Sequence, residues 1–109
     1  MLKHEFGIME TSPLSGQRYD KYEPEKYDCI SVSDRYILPL SEKLSGISFF
    51  RHTVDAEGKG LAYWGITLIS PDAAGKMLPL TESIHALEPL AKLLRRAIDE
   101  NKYVIHFGI

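Results

Sequence analysis

The C-terminal part of the chain carries its clearest helical pattern. Between Pro89 and Asn101, apolar residues recur every three or four positions, and most positions between them are charged. The apolar stripe consists of Leu90, Leu93, Leu94, Ala97 and Ile98, and the opposite side carries Lys92, Arg95, Arg96 and Asp99. This spacing predicts an amphipathic helix with one buried side, which is the principal helix of the chain.

Four other segments have the composition and alternation of β-strands. Two of them, 4–8 and 102–109, lie near the ends of the chain, and both finish in Phe-Gly-Ile. The other two, 47–54 and 61–70, are rich in β-branched and aromatic residues. The segment 55–60 between them contains two glycines and predicts a hairpin loop.

Shorter elements complete the predicted fold. A short strand is indicated at 29–33, after a long loop at 10–27. The segment 34–44 has helical spacing interrupted by a proline, and the Ser-Pro pair at 70–71 is typical of the start of one or two helical turns. The pattern predicts an α+β fold: a four- to five-stranded, mainly antiparallel sheet, one principal C-terminal helix packed on one face, and short helices or loops elsewhere.

Length and composition indicate an ordinary single domain spanning 1–109. With 109 residues, 44% hydrophobic and 26% charged, the chain is long enough to bury a core without disulfides or metal. A net charge of −2 argues against a binder of nucleic-acid phosphates. No segment has the length of a signal peptide or a membrane span, and Cys29 is alone. We therefore expect a cytoplasmic protein, since unpaired cysteines persist in reducing compartments.

Side-chain alternation predicts which residues share a face of the sheet. If Val54 pairs with Leu61 across the hairpin, Trp64 lies on the core side, directly opposite Arg51, whose side chain packs on the indole ring. The same alignment predicts that the second face receives Phe50, His52, Tyr63 and Gly65.

Three strand glycines meet on that second face, because Gly7 and Gly108 follow the same alternation as Gly65. A glycine within a strand often marks the close approach of a ligand or of another backbone. Two interpretations stay open: a loop, helix or second copy packs there, which is favoured, or the face forms a ligand groove. The predicted binding residues are Tyr63, Phe50, Gly7, Gly65 and Gly108, with the loop tyrosines Tyr19, Tyr22 and Tyr27, whose rings can cover this face.

Acid–base chemistry is the enzymatic interpretation of the same face. Glu5, His52 and His106 are its candidate catalytic residues, since histidine exchanges protons near neutral pH and a carboxylate orients it. Ordinary cross-strand hydrogen bonding is favoured over catalysis. A zinc site built from these three residues is a weaker interpretation, because none of the histidines has a recognised ligand spacing. We predict no metal and no cofactor.

No stretch of the sequence carries a recognised catalytic motif. The expected function is that of a small non-catalytic module that binds a protein or a ligand and forms a homodimer. The alternative is a small acid–base enzyme or small-molecule binder that uses the His/Glu/Tyr groove. Regulation of a toxin or another partner protein through the acidic loop is a third hypothesis. Neither nucleic acid nor a membrane is an expected partner.

Overall fold

The computed structural model describes residues 2–109 and confirms the α+β class. Within these residues, a six-stranded sheet of order β2-β1-β6-β5-β3-β4 has antiparallel neighbours throughout. The strands are β1 Lys3–Met9, β2 Ile30–Ser33, β3 Ser48–Arg51, β4 Glu57–Lys59, β5 Ile66–Ile69 and β6 Tyr103–Phe107. The helices are α1 Asp34–Lys43, α2 Pro71–Glu82 and α3 Glu88–Glu100, with 3-10 turns at Pro24–Tyr27 and His85–Leu87. None of these helices is long and apolar enough to cross a membrane.

The predicted count of four to five strands falls short of the six observed. The missed strand is β4, a three-residue edge strand within the segment predicted as a hairpin loop. Its sequence, Glu-Gly-Lys, has no apolar alternation that distinguishes it from a turn.

Helix α2 begins where its capping residue predicts. The Ser70 hydroxyl accepts a hydrogen bond from the backbone N–H of Ala73, 3.1 Å away, and Pro71 is the first residue of α2. However, α2 continues for 12 residues, well beyond the predicted one or two turns. Burial of Ala73, Ala74, Met77 and Thr81 along one side explains this length, because packing of an apolar side sustains a helix that local propensity does not.

The two faces of the sheet are covered differently. All three helices pack on one face, where they form the main core with Phe6, Ile8 and Phe49 of the strands. The opposite face carries a second apolar cluster, covered by the segment 10–29. This second cluster contains Met9, Ile66, Leu68, Ile105 and Phe107, with Tyr19, Tyr27, Cys29, Phe50, Val54 and Tyr103 packed against it.

The predicted pairing of Val54 with Leu61 is wrong. Strand β3 pairs with β5 through Phe50 opposite Leu68 and Arg51 opposite Thr67. The chain leaves β3, forms β4 on its outer side, and crosses back through 60–65 before β5 begins. Compared with the predicted pairing, β5 is shifted along β3 by an odd number of positions. Every residue of β5 therefore lies on the opposite face of the sheet from the one predicted.

The same error misplaced Trp64 and Arg51. The Trp64 side chain is 79% exposed and lies in the turn before β5, so it is not opposite Arg51 in the core. The Arg51 guanidinium instead donates hydrogen bonds to the carbonyls of Lys59 and Gly60, 2.6 and 3.1 Å away.

The terminal strands correct the grouping of the candidate catalytic residues. Glu5 pairs with Phe107, and Phe6 pairs with His106, so Glu5 and His106 lie on opposite faces of the sheet. The prediction placed Phe6 and Phe107 on the same face of the sheet, toward the core, and therefore placed Glu5 and His106 together on the other face. Both faces of this sheet are apolar, so alternation alone does not reveal which phenylalanine faces the helices.

Candidate functional site

An open cleft of about 480 Å³ lies on the loop-covered side of the sheet, where β1 begins and β6 ends. Tyr22 of the long loop and Trp64 of the turn before β5 both line it, and Glu5, His52 and Phe107 lie between these elements. Gly65 and Gly108 also line the cleft. The structure therefore brings together five of the predicted site residues: Glu5, Tyr22, His52, Gly65 and Gly108.

Glu5 is the chemically distinctive group of the cleft. Its side chain leaves β1 on the same face as Phe107, and the residue is only 8% exposed. The Tyr22 hydroxyl donates a hydrogen bond to Glu5 Oε1, and this bond, with burial as a second cause, raises the pKa of Tyr22 to about 12. Glu5 Oε2 accepts no hydrogen bond within residues 2–109.

The turn 62–65 presents Trp64 at the cleft. It is fixed by the end of the chain, because the Gly108 N–H donates to the Gly65 carbonyl (2.8 Å) and the Ile109 N–H donates to the Tyr63 carbonyl (3.0 Å). A Cβ atom at Gly108 would clash with the backbone of Tyr63, so this close approach requires glycine. The glycine signal here marks an approaching backbone, which is one of the two open interpretations.

His52 is held between the turn and the long loop. Its backbone has φ 61°, an uncommon left-handed conformation for a residue other than glycine. The ring packs on Gly65, and Nε2 accepts a hydrogen bond from the Ile66 N–H at 3.4 Å. Nδ1 lies 2.8 Å from Asp20 Oδ1, outside hydrogen-bonding geometry. Since the backbone already engages Nε2, the ring has no free lone pair for a substrate proton.

His106 belongs to a different cluster, the buried polar chain, formed by Asp34, His4, His106 and Thr67 on the helix-covered face, and Tyr63 bonds to its Asp34 end. His4 Nε2 lies 2.9 Å from Asp34 Oδ1, and His4 Nδ1 lies 2.9 Å from His106 Nε2. His106 Nδ1 is 3.2 Å from Thr67 Oγ1, which also accepts a hydrogen bond from the Ala62 N–H at 2.8 Å. The Tyr63 hydroxyl donates to Asp34 Oδ1.

The bonds of the buried polar chain can all form in one direction. If both histidine rings carry their proton on Nε2, Thr67 donates to His106, His106 donates to His4, and His4 donates to Asp34. Hydrogen bonds from Tyr63 and His4 lower the pKa of Asp34, which keeps it an acceptor. Burial, with His4 nearby, lowers the pKa of His106 to about 3. His4, His106 and Thr67 are fully buried, so no substrate reaches them.

The remaining predicted residues lie under the long loop. A Cβ atom at Gly7 would be 2.6 Å from the Tyr27 carbonyl oxygen and 2.7 Å from Cys29 Sγ, so Gly7 lets this segment cross the sheet. Tyr19, Tyr27 and Phe50 pack in the second apolar cluster. The aromatic residues of the loop thus cover a sheet face that no helix covers.

A larger depression of about 700 Å³ lies between the same loop and the sheet. Its acidic lining residues are all exposed or half-buried and each pairs with a cation: Glu10 with Lys102 and Arg96, Asp20 with Arg18, and Glu23 with Lys26. Two hydrogen bonds from Arg18 are the main cause that lowers the pKa of Asp20. The acidic groups of this depression are therefore paired within the protein, unlike Glu5.

Metal binding and covalent chemistry find little support in these positions. Among the described residues, no group of three or more histidine, cysteine or acidic side chains is placed to hold a metal ion. The hypothetical zinc set is divided by the sheet, with His106 on one face and Glu5 and His52 on the other. Burial raises the pKa of Cys29 to about 12, which keeps the thiol protonated and a poor nucleophile.

Several residues of these two clusters were not predicted from the sequence. Trp64 and Phe107 were assigned to the core, and Asp20, Asp34, His4 and Thr67 were not singled out. Asp34 had a usable signal as the first residue of a helix, and His4 had none beyond strand alternation.

Comparisons with protein-family models, curated proteins and solved structures found no significant match to this chain.

Proposed function

We propose that the protein is a non-catalytic binding module whose ligand site is the cleft between Tyr22 and Trp64. The supporting observation is that the one tryptophan of the chain is 79% exposed beside a carboxylate that is only 8% exposed. The exposed indole offers apolar and π surface to a ligand, and a largely buried carboxylate without a cationic partner is costly. A ligand in the cleft covers the first and pairs with the second.

The size of the cleft favours a small ligand. Its volume of about 480 Å³ lies within the roughly 300–1,000 Å³ typical of small-molecule sites. A lining that combines apolar and polar groups also fits such sites, since Phe107 and Ile66 lie beside Glu5 and Tyr22.

An acid–base enzyme is the second candidate, favoured by the close approach of His52 and Asp20 in the cleft. Left-handed backbone at a residue such as His52 costs about 1–3 kcal/mol and is often found at functional sites. The engagement of Nε2 by the Ile66 N–H weighs against this candidate. Conversion of a bound compound over a day, seen in its proton spectrum and lost in His52→Gln, would favour the enzyme.

A fragment screen by ¹H–¹⁵N NMR tests the proposed site, with glycine amides as reporters. Gly65 and Gly108 line the cleft, whereas Gly16, Gly46 and Gly75 are exposed elsewhere and serve as internal controls. We expect some small molecules to shift the first pair and the Trp64 indole signal without shifting the controls. The proposal fails if no compound at millimolar concentration moves Gly65 or Gly108, or if the shifts are equal at the controls.

A truncation of Trp64 provides the matched variant. Because the side chain is largely exposed, Trp64→Ala is expected to change the free energy of unfolding by about 0.5 kcal/mol or less. The same variant is expected to weaken the hits of the screen severalfold, which separates a binding role from a structural one.

Homodimer formation and a cytoplasmic location stay predictions. The segment 10–29 covers the apolar face from which the dimer was inferred, so the proposed cleft does not require a second copy. Light scattering at high micromolar concentration tests the dimer, and a strict monomer removes it. The unpaired Cys29 is in keeping with a reducing compartment.

A further inference from the structure

Glu5 is the only carboxylate that is buried within residues 2–109. Buried charges in proteins are normally paired with an opposite charge, because removing them from water is costly. Yet none of the ion pairs in this part of the chain includes Glu5, and its one hydrogen bond comes from the neutral hydroxyl of Tyr22. Lys3 also lines the cleft, but its ammonium group is not within 4 Å of the carboxylate. The cleft therefore lacks a positive charge at Glu5 Oε2.

The aromatic walls of the cleft favour the same kind of group. The rings of Tyr22, Trp64 and Phe107 line it, and the ring of Tyr22 packs edge-on against Phe107 with centroids 5.4 Å apart. The π-face of an aromatic ring attracts a cation within about 6 Å of its centroid, and the attraction grows when water is excluded. Tyr22 and Trp64 are 62% and 79% exposed, so much of their ring surface is free for a ligand.

The hydrogen bonds around Glu5 indicate which kind of group suits its second carboxylate oxygen. The Tyr22 hydroxyl already donates to Glu5, and the Ile66 N–H donates to His52. The Gly108 N–H donates to the Gly65 carbonyl. These three donors are thus used within the protein, while Glu5 Oε2 is left to accept, so an N–H donor suits this position of the cleft.

We propose that the ligand of the cleft is an organic cation with at least one N–H group, which donates to Glu5 Oε2 while its body contacts Trp64 and Tyr22. This inference rests on the proposed binding function and adds the charge and the donor of the ligand. A free amine and the lysine side chain of a peptide share this chemistry, and the test separates them.

Three probes with one benzene ring and different charges test the proposal: benzylammonium, benzyl alcohol and benzoate. Each is titrated at pH 7 while the amide signals of Gly65 and Gly108 and the fluorescence of Trp64 are followed. We expect benzylammonium to bind at least tenfold more tightly than the alcohol and benzoate. A blocked Gly-Lys-Gly peptide is titrated in parallel. Tighter binding of the peptide than of benzylammonium assigns the cation to a protein partner, and tighter binding of benzylammonium assigns it to a free amine.

A charge-removing variant shows whether Glu5 is the counter-ion. Glu5→Gln keeps an acceptor for Tyr22, and it is expected to weaken benzylammonium binding at least tenfold without affecting benzyl alcohol. Glu57→Gln, on the exposed edge strand and away from the cleft, is the matched control and is expected to change neither.

The outcomes separate the ligand class from the binding function. Equal binding of benzyl alcohol or benzoate, or unchanged benzylammonium binding to Glu5→Gln, overturns the cationic ligand and leaves the cleft as a binding site. If none of the probes shifts Gly65 or Gly108, the cationic ligand is overturned as well. If the fragment screen then also gives no hit, the proposed function fails with it.

Discussion

The cleft and the buried polar chain are two polar clusters joined by one turn, and they differ in how completely their groups are satisfied. In the buried polar chain, every side chain from Thr67 to Asp34 bonds to a neighbour, and none of its histidine atoms faces water. In the cleft, Glu5 has an open oxygen. Buried polar groups in a folded protein normally bond to one another, and the proposed ligand site rests on the exception at Glu5.

Adjacent residues of the turn show this difference most directly. Tyr63 points its hydroxyl toward Asp34, whose hydrogen bond raises the pKa of that tyrosine. Trp64, the next residue, stacks edge-on against Tyr63 with ring centroids 5.0 Å apart and stays exposed at the cleft. One turn therefore serves the stability of the helix-covered face and the shape of the opposite side.

The largest expected effect comes from breaking the buried polar chain. His106→Ala removes a buried ring, leaves His4 Nδ1 without a partner and leaves the Thr67 hydroxyl bonded only to the Ala62 N–H, so we expect a loss of about 3–5 kcal/mol in the free energy of unfolding. Urea denaturation measures it. His85→Ala, at an exposed histidine, is expected to change stability by about 0.5 kcal/mol or less. Equal effects of the two variants would show that the chain contributes no stability.

Acidification is expected to act through the same cluster. The folded pKa of His106, about 3, lies below its ordinary value of 6.5, so the folded state binds fewer protons between these two values. The contribution of His106 to the free energy of unfolding is therefore complete above pH 6.5. It is lost as the pH falls toward 3, by on the order of 1 kcal/mol per pH unit. Asp34, whose pKa is also lowered, adds to this loss below pH 4. Urea midpoints measured between pH 7 and 4 should fall steeply in the parent protein and less steeply in His106→Gln. Parallel slopes would contradict this assignment.

A smaller effect is expected where the long loop crosses the sheet. Gly7→Ala forces the segment carrying Tyr27 and Cys29 away from β1, at a cost of about 1–3 kcal/mol. Gly75→Ala is the matched control, since this glycine lies inside α2 with open space around it. It is expected to increase stability by about 0.5–1 kcal/mol. Thermal unfolding of both variants should therefore give shifts of opposite sign, and a stabilised Gly7→Ala would show that the loop does not pack closely there.

Local patterns in the sequence were sufficient to predict α3 and the terminal strands, and to place the start of α2. A stripe of leucines, a Ser-Pro cap and alternating apolar residues each determine structure over a few neighbours. The pairing of β3 was not predictable in this way, because Glu-Gly-Lys at 57–59 forms a strand only through its partner. That single error reversed the faces assigned to 61–68 and placed Trp64 in the core.

The candidate site was predictable only in part, for a related reason. Glu5, Tyr22 and His52 were singled out, and they do meet in the cleft. His106 was grouped with them, but it faces the helices, since apolar residues alternate on both faces of this sheet. The sequence could not predict that Glu5 has no ion pair, because this depends on which cations come within 4 Å of it in the folded protein.

The central claim is that Glu5 is a buried charge kept for a ligand rather than for the fold, and Glu5→Gln tests it most directly. The measurement is the free energy of unfolding in urea without ligand, beside the affinity for benzylammonium. We predict unchanged stability or a gain of up to about 1 kcal/mol, because the variant removes an unpaired buried charge, together with at least a tenfold loss of affinity. A loss of more than about 1 kcal/mol in stability with unchanged affinity would contradict the account and make Glu5 a structural partner of Tyr22.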